Sequence, residues 1–330
     1  MRFLPAILTL ALCGGVSLAA PASTQLLTMV LAGPKVAFEG TQKTTVYSDS
    51  GSASSEVLVF GDGRGAIRRE YRSGAVAGIV TLQSGGSTWE RSSASAWVRL
   101  PGGERTDSAS AAGRIARNYR VTVGPAARLC GRAVTMIRID ARWPSNPSRH
   151  VWLDTLTGIL VRDDLLAPDG KPRSTSQFTR LAMRSQPKSQ FAVPAVTAQP
   201  SAFGPSSFTR HPSEAAMERF CGLPAPHPTY VPAGFTIEMY GMMTTGSGRH
   251  MPAVRYSDGL AAFTIFRRGS GGPGGPGGGR GRGGPGGFGM RGPPSNRQQA
   301  VVPVTRPQAN YILVGDITES ELTRVAASLS

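Results

Sequence analysis

The sequence predicts an α+β fold in which a long antiparallel β-sheet with few helices is followed by a smaller α+β domain. Gly contributes 42 and Pro 26 of the 330 residues, a composition typical of strands and loops. Short runs rich in β-branched and aromatic residues recur between Gly or Ser clusters, which indicates successive antiparallel strands. Apolar residues at helical spacing are confined to a few short segments.

The first 22 residues have the features of a signal peptide. Arg2 precedes an apolar run from Phe3 to Leu12, and small residues suited to cleavage follow. We therefore expect an exported protein. Cys13 would accept a lipid anchor after a small residue, but Leu12 precedes it, so we expect no anchor.

The first domain is predicted to span residues 23–185. Helices are expected at 25–32 and 107–118. Strands are expected at 36–47, 56–60, 66–71, 78–82, 88–91, 96–100, 119–123, 133–141, 151–153, 159–161 and 174–181. A sheet of that length must curl or close. Because two helices cannot cover its inner face, we expect an apolar concavity there.

The stretch from His150 to Leu166 is predicted to form a β-hairpin within a meander. Gly158 supplies the positive φ that a tight turn needs, while Asp154 and Thr157 can bond backbone amides locally. Nothing in the hairpin indicates catalysis.

A linker is predicted at residues 186–228 because large apolar residues are few there, with one short helix at 212–221. The second domain is predicted at 229–330, with strands at 230–237, 253–256, 260–266 and 311–317. Thr318 and Glu321 have the spacing of a capping box at the start of a closing helix.

An insertion rich in Gly and Arg, residues 267–300, is predicted to be disordered because it cannot bury enough apolar surface. Six arginines of this segment contribute much of the net charge of +16. Such tracts can bind RNA, but export removes the chain from RNA, so no nucleic-acid partner is expected. Anionic headgroups, an acidic protein, or no ligand at all remain alternatives for this loop.

Signals for catalysis are sparse. The four histidines lack metal-ligand spacing, and no nucleophile-elbow pattern is present. Adjacent Asp163 and Asp164 would point to opposite faces of a strand. We therefore predict a protein that is not an enzyme and has no cofactor or metal. Six strand-borne aromatic residues are predicted to line an apolar ligand cavity: Phe38, Phe60, Trp89, Trp97, Trp152 and Phe178.

Two cysteines, Cys130 and Cys221, remain after removal of the predicted signal peptide. An even count in an exported chain permits one disulfide, which would tie the first domain to the second. Two free thiols are the alternative.

Four stretches resemble the MucB/RseB family of periplasmic regulators. They are Leu26–Met29 with Val36–Thr41, Cys130–Arg132 with Trp152–Leu166, Tyr230–Phe235, and Tyr256–Ala261. The resemblance implies an unclosed β-barrel similar to lipoprotein carriers, plugged by helices, in the first domain.

The resemblance also implies a function. It predicts a periplasmic protein that binds the periplasmic part of a membrane-anchored anti-sigma factor and modulates release of an envelope-stress sigma factor. Lipids, acylated peptides or lipopolysaccharide fragments are the expected signals, and a lipid or lipoprotein carrier without an anti-sigma partner is the alternative. The predicted partner surface consists of Tyr256, Asp258, Leu260, Phe263 and Phe266.

Overall fold

The computed structural model describes residues 22–48, 51–92, 97–99, 108–192, 205–245, 249–268 and 300–330. The predicted signal peptide up to residue 21 and the core of the Gly/Arg-rich insertion, residues 269–299, lie outside these ranges. None of the helices in the described ranges has the length and apolarity needed to span a membrane.

The first sheet contains eleven antiparallel strands within the described residues. They are β1 (Ala37–Ser48), β2 (Gly51–Asp62), β3 (Ile67–Tyr71), β4 (Val80–Ser84), β5 (Ser87–Arg91), β6 (Val98–Arg99), β7 (Tyr119–Leu129), β8 (Arg132–Ala141), β9 (Ser148–Asp154), β10 (Ile159–Leu166) and β11 (Pro172–Met183). Their spatial order is β6-β5-β4-β3-β2-β1-β11-β10-β9-β8-β7. The edge strands β6 and β7 do not pair with each other in the described part, so the barrel is unclosed, as predicted.

Two helices pack against one face of this sheet. Helix α1 (Ala22–Ala32) and helix α2 (Ser108–Asn118) contact each other and β7. Their apolar residues Leu27, Val30 and Ile115 join Ile137 and Val151 of the sheet in one buried cluster. We call the side of the sheet that carries Ile137 and Val151 the helix-side face.

The strand register shows which other residues share the helix-side face. Val151 is opposite Asp163, Asp163 is opposite Ser176, and Ser176 is opposite Thr44. Because alternate residues of a strand point to the same side, Phe178 on β11 and Gln42 on β1 lie on this face as well. Gln42 in turn is opposite Val57, which is opposite Tyr71.

The second sheet has six strands in the described residues, in the order β12-β13-β14-β15-β17-β16. They are β12 (Pro205–His211), β13 (Thr236–Thr245), β14 (His250–Ser257), β15 (Ala262–Arg268), β16 (Ala300–Thr305) and β17 (Asn310–Gly315). Helix α3 (Glu214–Cys221) and helix α4 (Glu319–Ala327) pack against this sheet. Their buried residues Met217, Leu322 and Val325 lie in its main apolar core.

The expected linker and second domain differ from the structure in their details. A 3-10 helix spans Lys188–Phe191, and β12 lies within residues 186–228 as an edge strand of the second sheet. The predicted strand at 230–237 is wrong, since β13 begins only at Thr236 and the backbone turns before it, where Phe235 N–H donates to the Pro232 carbonyl. The predicted short helix is confirmed as α3, which ends at Gly222 with φ of 66°.

The closing helix is only partly as predicted. Thr318 caps it, because its hydroxyl accepts a hydrogen bond from the Glu321 amide at 3.3 Å. The Glu321 carboxylate does not complete the capping box. It instead accepts hydrogen bonds from Tyr230 Oη at 2.8 Å and Arg324 Nη1 at 2.7 Å, which ties the helix to the turn before β13.

Candidate functional site

The two sheets meet at a turn that follows β14 and begins with Asp258. One carboxylate oxygen, Oδ1, accepts hydrogen bonds from the backbone amides of Leu260 at 2.9 Å and Ala261 at 2.8 Å. Ser257 supports the turn by accepting from the Gly259 amide at 3.0 Å. The short polar side chains of this motif therefore form a tight local loop.

The other carboxylate oxygen of Asp258 is bound by the first sheet. Oδ2 accepts a hydrogen bond from Tyr119 Oη at 2.5 Å and another from Asn146 Nδ2 at 2.9 Å. Asp258 is 0% exposed. A buried carboxylate with four donors, two of them from a different sheet, holds the two sheets in a defined relation.

Burial is the main influence on the Asp258 carboxyl and raises its pKa above the ordinary value. The hydrogen bonds from Tyr119 and from the amides of Ala261 and Leu260 act in the opposite direction but do not cancel the effect of burial.

Asn118, at the end of α2, braces the same region. Its Nδ2 donates to the carbonyls of Gly234 and Asp258, each at 2.9 Å. Asn146 Nδ2 also donates to the Ala233 carbonyl at 3.2 Å. The two second-domain motifs that carried the family resemblance therefore bind one site on the first sheet.

Two glycines permit this close approach. Gly234 has φ of 85°, and a Cβ there would lie 2.6 Å from Asn118 Oδ1. Gly259 has φ of 103°, and a Cβ there would lie 2.9 Å from both Arg114 Cβ and the Ile115 amide nitrogen. Any other residue would be strained at both positions and would push the sheets apart.

Apolar and charged contacts extend the joint. Leu260 is buried in the cluster formed by α1, α2 and the first sheet. Arg114 of α2 and Arg255 of β14 both bind the Glu238 carboxylate at 2.8 Å. Arg173 Nη1 adds a hydrogen bond to the Asp316 carbonyl at 2.7 Å.

The predicted partner surface is wrong as a surface, because all five of its residues are buried. Tyr256 and Phe263 stack with ring centroids 5.0 Å apart in the main core of the second sheet. Phe266 lies in a separate apolar cluster, while Asp258 and Leu260 belong to the joint. A sequence motif of this kind does not show whether its residues contact a partner or are buried within the chain.

The six aromatic residues of the predicted cavity do not lie together. Phe178 lies on the helix-side face and packs edge-on against Phe38, with centroids 6.0 Å apart. Phe60 and Trp89 lie on the opposite face with the half-buried Trp97, in a cluster that includes Phe191. The register explains the split, because Phe60 is adjacent in sequence to Val59, which shares a face with Val57.

Trp152 packs against the cluster that contains Phe38 and Phe178. It is adjacent to Val151 on β9, and the Arg162 guanidinium lies 4.6 Å from its ring centroid. Three of the six predicted residues, Phe38, Phe178 and Trp152, therefore share one cluster. Its other buried members are Val57, Val59, Tyr71, Ile79, Val134, Ile159 and Val161.

Both cysteines are free thiols in the structure, so the possible disulfide between Cys130 and Cys221 is not formed. Cys130 packs against the Phe38 cluster of the first sheet and Cys221 against the core of the second. Burial raises the pKa of both thiols, which makes them poor nucleophiles.

Many of the acidic residues in the described ranges form ion pairs with arginine. No group of three or more His, Cys, Asp or Glu residues there could hold a metal ion. Asp163 pairs with Arg149 at 2.6 Å, whereas Asp164 pairs with Arg162 at 2.8 Å, and they lie on opposite faces as the sequence predicts.

Sequence reasoning missed four first-domain residues of the joint and one on the second sheet. They are Arg114, Asn118, Tyr119 and Asn146 from the first domain and Glu238 from β13. None of these residues lies in a motif. Their partners are more than a hundred residues away in sequence, except for the Glu238 to Arg255 pair, so no local signal identifies them.

The fold and the joint define a class: an unclosed antiparallel barrel with helices on one face, fixed to a smaller α+β sheet. Residues 67–199 match the family model described as the MucB/RseB N-terminal domain. A comparison with curated protein sequences finds no match.

Solved structures of MucB are similar in fold. The Pseudomonas aeruginosa MucA/MucB complex matches with a TM-score of 0.58 at 17% identity, over 93% of this chain and 98% of that one. MucB in complex with MucA(peri) matches with a TM-score of 0.52 at 17% identity, over 93% and 98%. MucB alone matches with a TM-score of 0.51 at 18% identity, over 94% and 98%. The predicted resemblance to the MucB/RseB family is therefore confirmed.

Proposed function

We propose that this protein is a periplasmic regulatory binding protein that binds the periplasmic part of a membrane-anchored anti-sigma factor and thereby modulates release of an envelope-stress sigma factor. The match of residues 67–199 to the MucB/RseB N-terminal domain carries this proposal. Export follows from the signal-peptide features of residues 1–22. We infer a division into a first domain at 23–185 and a second domain that includes 229–330.

The architecture supports a binding role. Two of the similar structures are complexes of MucB with MucA, and the likeness extends over both sheets of this chain. The buried joint around Asp258 holds the two sheets together, so surfaces of both are presented to a partner in one arrangement. Glu238, Asp163 and Asp154 are engaged in ion pairs and turn hydrogen bonds, which are structural roles.

Protease protection tests the proposal. The purified protein is mixed with the periplasmic segment of the single-span membrane protein encoded beside a sigma factor in the same genome, and cleavage of that segment by a periplasmic protease is followed over time. We expect the segment to be cleaved more slowly in the presence of the protein. A scrambled segment of the same composition is the control, and equal protection of both segments, or of neither, would contradict the proposal.

The lipid or lipoprotein carrier is the second candidate. The apolar cluster around Phe38 and Phe178 on the helix-side face favours it. Native mass spectrometry with acylated peptides checks this reading, and a protein that protects no anti-sigma segment but retains acyl chains would favour the carrier over the regulator.

A further inference from the structure

Helix α2 (Ser108–Asn118) contacts both sheets at once. On the side of the first sheet, Ile115 is buried in the apolar cluster that α1 forms with Ile137 and Val151. Ile115 is the one large apolar residue in the sequence of the helix, SASAAGRIARN. The packing of α2 on the helix-side face therefore depends mainly on a single side chain.

Two polar side chains of the same helix bind the second sheet. Arg114 Nη2 donates to the Glu238 carboxylate at 2.8 Å. Asn118 Nδ2 donates to the carbonyls of Gly234 and Asp258, each at 2.9 Å. These contacts lie within little more than one turn of the helix, next to its apolar contact with the first sheet.

The second sheet also contributes to the cluster that holds α2 in place. Leu260 is buried there beside Ile115. The preceding Gly259 has φ of 103°, and a Cβ there would lie 2.9 Å from the Ile115 amide nitrogen. Because the two backbones are this close, a shift of α2 along the first sheet also displaces the turn after β14.

The sequence of α2 makes it a weakly stabilised helix. Gly113 lies in its interior, where glycine is less favourable than alanine. A Cβ at Gly113 would meet Arg117 Nη1 at 3.9 Å, an ordinary contact distance, so close packing does not require the glycine. A helix with one large apolar contact and an interior glycine belongs to the part of a fold that opens most easily.

We propose that α2 is the element that couples the helix-side face of the first sheet to the joint with the second sheet, so that displacement of α2 opens the joint. Removal of Ile115 from its cluster withdraws Arg114 and Asn118 from the second sheet in the same movement. A molecule that takes the position of α2 on the helix-side face would then change the arrangement of the two sheets. The regulatory meaning of this coupling deepens the proposed function and rests on it.

Native-state hydrogen exchange of the mature protein tests the coupling without a ligand or a partner. The amides of Leu260 and Ala261 report on the joint, because both donate to Asp258. We expect Gly113→Ala to slow the exchange of both amides about fivefold, which is the helix-propensity difference between the two residues expressed as an equilibrium constant. Thr323→Ala is the control, because it raises the helix propensity at an exposed position of α4, outside the joint, and should leave both amides unchanged.

A second matched pair of substitutions tests the opposite direction. Ile115→Ala removes the main contact of α2 with the first sheet, and we expect exchange of the Leu260 and Ala261 amides to accelerate at least about tenfold. Ile159→Ala deletes the same atoms from a buried side chain in the other large cluster of the first sheet. It should lower the global stability measured by urea unfolding without a separate effect on the joint.

Coupling between two sites is reciprocal, so a weaker joint should also loosen the helix. Glu238→Gln weakens the contact with Arg114, and exchange of the α2 amides should accelerate at least about threefold.

Two results would overturn the proposal. If the α2 variants and their controls affect Leu260 and Ala261 equally, the joint opens only when the whole protein unfolds. If the α2 variants change exchange within α2 alone, the joint is held independently of the helix. Protease protection of the anti-sigma segment is measured separately, so failure of the coupling and failure of the proposed function are distinguishable.

Discussion

Asp154 and Asp258 are both buried carboxylates at turns, and the contrast between them explains the architecture. Asp154 is 1% exposed and Asp258 is 0% exposed. Asp154 accepts hydrogen bonds from the Leu156 amide two residues away and from Arg132, 22 residues away, on the adjacent strand β8. Asp258 is bound by Tyr119 and Asn146, which are 139 and 112 residues away. One carboxylate closes a hairpin, and the other joins two sheets.

Their ionisation also differs. Burial tends to raise the pKa of Asp154, but hydrogen bonds from Arg132, Thr157 and the Leu156 amide lower it below its ordinary value overall. Asp258 has no cationic partner among the residues that the structure describes, and burial raises its pKa. Arg132 therefore accounts for the difference: it stabilises the charged form of Asp154, whereas burial disfavours the charged form of Asp258.

Asp258→Ala should have the largest effect on stability. It leaves Tyr119, Asn146 and two backbone amides without their acceptor in a buried site, which we expect to cost about 3–5 kcal/mol. Urea unfolding followed by Trp fluorescence measures the loss, and the two sheets should then unfold in separate transitions. Asp169→Ala, at an exposed turn, is the control and should cost less than about 1 kcal/mol. Similar losses for both variants would contradict the role of the joint.

Gly259→Ala should cause the second-largest loss of stability. A positive φ alone destabilises an alanine by about 1–2 kcal/mol. The overlap of the added Cβ with Arg114 and the Ile115 amide increases the total loss of stability to roughly 3 kcal/mol. Gly170→Ala is matched to it, because Gly170 has φ of 81° but a Cβ there meets nothing within 4 Å. The difference in urea midpoint between the two variants measures the close approach of the sheets, and no difference would argue against it.

The dependence of stability on pH should differ in sign between the two aspartates. Because the folded-state pKa of Asp154 is lowered, its contribution is present above its ordinary value of 3.8 and is lost as the pH falls through the folded-state pKa. Because that of Asp258 is raised, its contribution is present below 3.8 and is lost as the pH rises through the folded-state pKa.

Urea unfolding across the acid range checks both directions, with Asp154→Asn and Asp258→Asn each compared with the wild type. At neutral pH Asp154→Asn should cost about 2 kcal/mol through the weakened contact with Arg132. If both substitutions change the pH profile in the same direction, the assigned causes of the pKa shifts are wrong.

Tyr119→Phe should have the smallest effect. It removes one of four donors to Asp258 and should cost about 1 kcal/mol. Because the Tyr119 hydrogen bond acts to lower the pKa of Asp258, its loss should raise that pKa further. Carboxyl NMR of the wild type and variant detects this shift, and an unchanged Asp258 signal would mean that the hydroxyl does not bind it.

Much of the fold was accessible from the sequence because its signals are local. All eleven described strands of the first sheet overlap the runs of β-branched and aromatic residues that predict them. Asp154 and Thr157 accept hydrogen bonds from the turn amides, as their positions suggest. Strands β12 and β16 were missed. The first lies in a polar segment taken for a linker, and β16, at the edge of the second sheet, alternates half-buried with exposed residues and contains Pro303, so neither presents a strong strand pattern.

The candidate site could be predicted less completely from the sequence than the fold. The Tyr256 to Ala261 motif was identified, but as a surface, because a sequence does not show which buried acceptor meets which distant donor. The aromatic residues were also identified, but all six were assigned to one cavity. The strand register places them in two groups on opposite faces of the sheet.

By itself, the sequence determined the local geometry: the strands, the glycine and aspartate turns, the capping threonine of α4 and the family resemblance. These depend on the spacing of side chains within a few residues. Only the tertiary structure decided that Asp258 binds Tyr119 and Asn146, that Phe60 and Phe178 face away from each other, and that α2 contacts both sheets. These properties depend on register and on contacts between residues far apart in the chain, which folding alone brings together.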